Sequence, residues 1–101
     1  MSKDLVKSRK NKILSKVNYP KFYHVIILND NFTTMEFVVK VLIMFFNLSL
    51  HQATIIMLKI HNNGSAIVGT YTKDIAETLV SKVNNYSKQN SFPLKSIMKA
   101  K

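Results

Sequence analysis

The sequence predicts an α+β sandwich in which a three-stranded antiparallel sheet packs on three helices in the order βααβαβ. Runs of β-branched and aromatic residues occur at 22–28 and again in the middle of the chain, a short alternating run closes it, and apolar residues at three- and four-residue spacing fill the stretches between them. The resulting order of strand, helix, helix, strand, helix, strand leaves the helices on one face of the sheet. At 101 residues, 47% hydrophobic and 10% aromatic, the chain can bury one core and is too short for two.

The first strand is FYHVIIL, Phe22–Leu28, bounded by Pro20 and by the polar trio Asn29, Asp30 and Asn31. Such side chains fit a pleated, half-buried surface. They fall on both faces, which predicts a strand covered on both sides or flanked by partner contacts.

Thr33-Thr34-Met35-Glu36 has the form of a capping box, with Thr33 as N-cap and Glu36 reaching back to the orphan amides. Met35, Val38, Val39, Leu42, Phe45 and Phe46 then form the apolar face of a first helix that stops near Asn47. Ser49 can cap a second helix, in which Leu50, Ala53, Ile56, Met57 and Ile60 repeat the spacing until Asn62, Asn63 and Gly64 end it.

SAIVGTY, Ser65–Tyr71, reads as the second strand, with Gly69 permitting a bulge or a close backbone approach. Thr72 caps a third helix that turns Ile75, Ala76, Leu79, Val80, Val83 and Tyr86 inward and leaves Asn84, Asn85, Lys88 and Gln89 to solvent. Phe92-Pro93-Leu94 leads into a short alternating run that ends at Met98.

Composition removes several function classes. Without cysteine there are no disulfides, thiolate chemistry or cysteine zinc sites, and His24, His51 and His61 lack metal-ligand spacing. No metal and no cofactor are expected. No apolar run approaches the roughly 20 residues needed to span a bilayer, so a soluble chain without membrane contact is expected.

The net charge of +10 invites a nucleic-acid reading. Its distribution argues against one: residues 1–21 carry seven basic side chains against Asp4, giving +6, while residues 22–101 carry eight lysines against four acids, giving +4. Only Arg9 is arginine, the residue suited to bidentate readout of bases and phosphates. Residues 1–21 are expected to be a flexible basic extension, either a mobile arm or the remnant of an organelle transit sequence, preceding a domain at 22–101. The acids of that domain, Asp30, Glu36, Asp74 and Glu77, are too few and too dispersed for a carboxylate pair, no hydroxyl lies in a nucleophile motif, and two glycines cannot build a phosphate loop. An enzyme is not expected.

The polar connection between the first strand and the first helix is the informative segment. A strand end followed by a helix start brings donors and acceptors together on a rigid scaffold, and here Asn29 offers an amide oxygen and Asp30 a carboxylate, both suited to an ammonium group. An ordinary Asx turn accounts for the same residues. Met57, Ile60 and His61 share a face of the second helix, and Met35 and Val38 share a face of the first. Adjoining faces would form an apolar pocket with an imidazole at its rim; otherwise these are core residues and a polar helix end.

These residues resemble the ClpS family, adaptors that deliver N-end-rule substrates to Clp-type AAA+ unfoldases. The motif NDNFTTMEFV is similar to the family's N-D-D-Y/F-T-P-M-E-F-V, followed in order by ATIIMLKIHNNGSAIVGTYT, the AET of the third helix and FPL, so that residues 23–98 are covered. The resemblance implies a fold like the C-terminal domain of ribosomal protein L7/L12. It implies that Asn29, Asp30 and His61 hold the α-ammonium of a substrate's first residue, and that Thr33, Met35, Val38, Met57, Ile60 and Leu94 surround its side chain.

It further implies a bacterial cytoplasm, or the matrix or stroma of an organelle of bacterial descent. The partners would be a ClpA- or ClpC-type unfoldase with ClpP downstream, and the adaptor would act as a monomer. Walls of Met35, Val38 and Ile60 should favour Leu, Phe, Tyr or Trp over Val or Ile. Affinity should weaken as His61 becomes protonated, because imidazolium cannot accept a hydrogen bond from an ammonium.

This chain departs from the family pattern at four positions. Asn31 replaces the second aspartate and removes a charge near the leading peptide, Thr34 replaces proline and relaxes the helix start, and Ile60 stands where valine is common. Asp74 and Glu77 match the family's acidic docking residues, but Leu79 stands where its lysine is usual. The rival reading is a basic RNA- or ribosome-associated module on the same scaffold, which would have no need of Asn29, Asp30 and His61.

Overall fold

The computed structural model describes residues 21–101; the basic extension expected at 1–21 lies, apart from Lys21, outside them. The elements are β1 (Phe22–Leu28), α1 (Met35–Phe46), α2 (Leu50–Asn63), β2 (Ser65–Thr72), α3 (Lys73–Gln89) and β3 (Lys95–Ala100). The sheet is antiparallel in the order β2-β1-β3. Both fold class and element order match the sequence reading.

The helices cover the face carrying Val25 and Ile27, both fully buried, and the core continues through Val41, Leu42, Ala53, Ile60, Val68 and Val83. The opposite face of β1 is only half-buried at His24, Ile26 and Leu28. Of the two expectations for this strand, coverage on both sides therefore fails among the described residues.

The bulge falls beside Gly69. Val25 pairs with Gly69 and Ile26 with Ile67, so Val68 is the extra residue and turns into the core. The Tyr71 ring lies directly over Gly69, where a Cβ would collide with it. That ring also packs on Phe46, with centroids 6.4 Å apart; glycine here preserves a contact as well as the bulge.

The inward face of α1 differs from the expected stripe. Phe37 and Val41 are buried with Val38, Leu42 and Phe46, whereas Met35 is 44% exposed. Phe37 stacks on Tyr86 of α3, centroids 5.5 Å apart, and meets Phe92, centroids 4.5 Å apart, so the packing extends around the helix toward α3. On α2, Leu50 is exposed rather than inward, as is Ile75 on α3.

Asn84 is not left to solvent. Its Nδ2 donates to the carbonyl of Ser96 at 3.1 Å and its Oδ1 accepts from the Ser96 amide at 2.8 Å, fixing β3 to α3. In an antiparallel strand these two backbone groups point the same way, so Asn84 closes the outer edge of β3 at this residue.

Candidate functional site

The turn after β1 is built by Asp30. Its Oδ1 accepts from the amides of Phe32 at 2.8 Å and Thr33 at 2.7 Å, and its Oδ2 accepts from the Thr33 hydroxyl at 2.6 Å. Partial burial pushes the carboxyl pKa up, but the Thr33 hydroxyl and the two amides outweigh this and hold it below the ordinary carboxylate value. The Asx turn and the carboxylate that lines the cavity described below are thus one structure. A carboxylate has about four acceptor sites, so three bonds leave one free and the full negative charge in place.

This arrangement corrects the expected capping box. Thr33 is engaged with Asp30, and the N-cap of α1 is the next residue: the Thr34 hydroxyl accepts from the Phe37 amide at 3.1 Å. Glu36 remains in the first turn, where its charge favours the helix N-terminus, but it is exposed and closes no box. Thr34 therefore caps the helix start rather than relaxing it. A complete capping box does occur on α2, between Ser49 and Gln52.

The far end of α2 fixes the other side of the site. Gly64 ends the helix at φ 90° and its amide bonds to the Ile60 carbonyl, while its own carbonyl accepts from the Asn29 amide at 2.8 Å. Asn29 is thereby tied to the helix end that carries His61. No L side chain adopts this φ without strain, so Gly64→Ala should cost roughly 1–2 kcal/mol of stability. Chemical denaturation measures that loss, and a peptide titration should show weakened binding because Asn29 shifts with the turn.

Between these anchors lies a cavity of about 200 Å³ lined by Asn29, Asp30, Asn31, Thr33, Met35, Val38, Met57, Ile60 and His61. Val38, Met57 and Ile60 are buried, whereas Asn29, Asn31, Met35 and His61 are exposed. The cavity is therefore apolar inside and polar at its mouth. Such a mouth can accept hydrogen bonds from a cation while the interior takes an apolar side chain.

Of the residues singled out in the sequence, only Leu94 among the pocket set contributes no lining. It is buried in the same cluster as Val38, Met57 and Ile60. Asp74 and Glu77 are exposed on α3, away from the cavity, while Leu79 is half-buried against the core. Phe32, for which no sequence pattern suggests a role, is 78% exposed on the turn that Asp30 organises. Among the described residues no three His, Asp or Glu side chains could hold a metal, and no helix is long and apolar enough to cross a membrane.

Comparison with known proteins gives a consistent result. Residues 18–97 match the family model described as ATP-dependent Clp protease adaptor protein ClpS. The ATP-dependent Clp protease adapter protein ClpS of Desulforapulum autotrophicum is 49% identical over 88 residues, covering 87% of this chain and 85% of that one. The protein of the same description from Nitrosomonas eutropha is 52% identical over 84 residues, covering 83% and 82%. Among solved structures, Agrobacterium tumefaciens ClpS2 bound to L-phenylalaninamide superposes with a TM-score of 0.81 at 36% identity, covering 82% of this chain and all of that one.

Proposed function

Because this chain belongs to the ClpS family of ATP-dependent Clp protease adaptors, we propose that it binds the free α-amino group and bulky apolar side chain of a protein's first residue. Leu, Phe, Tyr and Trp are the side chains it takes. It delivers the bound protein to a ClpA- or ClpC-type AAA+ unfoldase for degradation by ClpP. The family is one of adaptors, not enzymes.

The observation that carries this reading is the joining of Asn29, Asp30 and His61 with Met35, Val38, Met57 and Ile60 around one cavity. The ammonium donates to the side chains of Asn29, Asp30 and His61. Thr33, Met35, Val38, Met57 and Ile60 enclose the side chain, Leu94 backs them from the core, and Asn31 meets the leading peptide. The phenylalaninamide bound by the Agrobacterium relative supports this, since that ligand is a free amine beside an aromatic side chain.

Asp74 and Glu77 are exposed and suited to meet a basic patch on the unfoldase, without help from a lysine at Leu79. Residues 22–101 make up the adaptor domain and residues 1–21 a basic extension to it. The protein acts as a monomer in a bacterial cytoplasm, or in the matrix or stroma of an organelle of bacterial descent. The rival reading as a basic RNA- or ribosome-associated module gives no reason for acceptors at the mouth of an apolar cavity.

Fluorescence anisotropy on matched peptides that differ only in the first residue tests the reading. Peptides beginning with Leu, Phe, Tyr or Trp should bind at least tenfold more tightly than those beginning with Val or Ser. A β-branched side chain meets the walls formed by Met35, Val38 and Ile60, and Ser forgoes roughly 1.5–3 kcal/mol of apolar burial. Equal affinity across the panel would reduce the cavity to a packing feature.

A further inference from the structure

The open face of the sheet is not accounted for by substrate binding. The register of β1 places Ile26 directly between Ile67 of β2 and Ile97 of β3. Three isoleucines thus form a row across all three strands on the side away from the helices. Ile67 is 52% exposed and Ile97 41%, and Phe22 adds an aromatic ring that is 49% exposed. Scattered exposed apolar residues are ordinary; a contiguous row on one sheet face marks an interaction surface.

The charge of this face is one-sided. Lys95 and Lys99 stand on β3 at the alternate positions flanking Ile97, opposite Leu28 and His24 of β1. Asp30, Glu36, Asp74 and Glu77 all lie on the turn or on helices, so among the described residues the open face carries no acid. A second copy of the chain would bring lysines against lysines. The isoleucine row and the lack of arginine among residues 21–101 suit a protein better than a nucleic acid.

We infer that the open face of the sheet, the Ile26–Ile67–Ile97 row flanked by Lys95 and Lys99, is a second docking surface for an acidic, amphipathic segment of a partner protein. Its apolar side covers the isoleucines and its carboxylates meet the two lysines. The surface lies on the opposite side of the sheet from the helices and does not depend on the substrate reading. It also explains why β1 is apolar on both sides: one side is core, the other is interface.

The test uses the full chain and an 18-residue amphipathic peptide with one leucine face and one glutamate face, titrated while backbone amide resonances are followed. The largest shifts should surround Ile26, Ile67 and Ile97. Lys95→Glu with Lys99→Glu should weaken binding at least tenfold, and Ile67→Thr with Ile97→Thr at least fivefold, threonine being chosen to keep the β-branched shape. The matched reversal on α3, Lys82→Glu with Lys88→Glu, should change affinity less than twofold.

Equal losses from the two reversals, or shifts confined to residues 1–20, would overturn the inference by showing general attraction to a basic chain. Tighter binding of a 20-nucleotide thymidine strand to the same face, insensitive to the isoleucine changes, would overturn it in favour of nucleic acid. Thermal melts confirm that each variant is folded. If the glutamate pair melts early, Lys95→Gln with Lys99→Gln takes its place, with a threefold loss expected and an unchanged affinity overturning the inference.

Discussion

Acetylating the α-amine of a peptide that begins with Leu or Phe should lower its affinity for this protein at least a hundredfold. The mouth of the cavity is furnished with acceptors, the Asn29 and Asn31 amides, the Asp30 carboxylate and the His61 imidazole. An α-ammonium brings three donors and a positive charge to them, and a charge-assisted hydrogen bond contributes about 1.5–3 kcal/mol. An acetylated nitrogen keeps one donor, loses the charge and adds a carbonyl that faces acceptors. Leaving the Asp30 charge without a partner adds to the loss, so a total near 3 kcal/mol, about two decades in affinity, is the expected scale. Matched free and acetylated peptides measured by calorimetry decide it, and a difference below fivefold would remove the amine from the recognition scheme.

Asp30→Ala should be the most damaging single substitution at the site, again at least a hundredfold, because it removes two things together. The carboxylate organises the turn through three hydrogen bonds to Phe32 and Thr33, and it supplies the charge at the cavity mouth. Alanine leaves the Thr33 hydroxyl and two amides without their acceptor. Asp30→Asn separates the roles, since one carbonyl oxygen can still accept from the amides while the charge is gone. Thr33→Val removes only the hydroxyl contact. The expected order of affinity is wild type, Thr33→Val, Asp30→Asn, Asp30→Ala, and an Asp30→Ala protein that binds like wild type would sink the assignment.

The lowered pKa of Asp30 adds a pH dependence of defined sign. A carboxyl depressed by folding contributes stability that is present above its ordinary value and is lost as pH falls through the folded value. The turn should therefore hold throughout the neutral and mildly acidic range and loosen only below the ordinary carboxylate range. Amide shifts of Phe32 and Thr33 followed down in pH report this directly.

The sequence by itself determined the element order, because β-branched runs and three-to-four spacing are local properties, and it marked the turn after Leu28 as the candidate site. The resemblance of NDNFTTMEFV and its following segments to the ClpS family then supplied roles for individual residues. The element order and both ends of α2 agree with the structure. Ser49 capped α2 and Gly64 ended it, since these caps are decided within four residues.

What failed to read out was decided by partners that cap and periodicity patterns do not name, nearby in one case and distant along the chain in the others. Thr33 and Thr34 offer the same hydroxyl to a helix start, and only the engagement of Thr33 by Asp30 passes the cap to Thr34. Asn84 looks like a solvent residue until β3 presents the backbone of Ser96, and Phe37 becomes core only because α3 and Phe92 meet it. The bond from Asn29 to the Gly64 carbonyl, joining residues 35 positions apart, brings the amide side of the site to the imidazole side. Local patterns fix what each segment becomes because backbone sterics and hydrophobic spacing act over a few residues. Tertiary structure alone decides which polar group meets which, since hydrogen-bond partners are chosen by proximity in space after the core has closed.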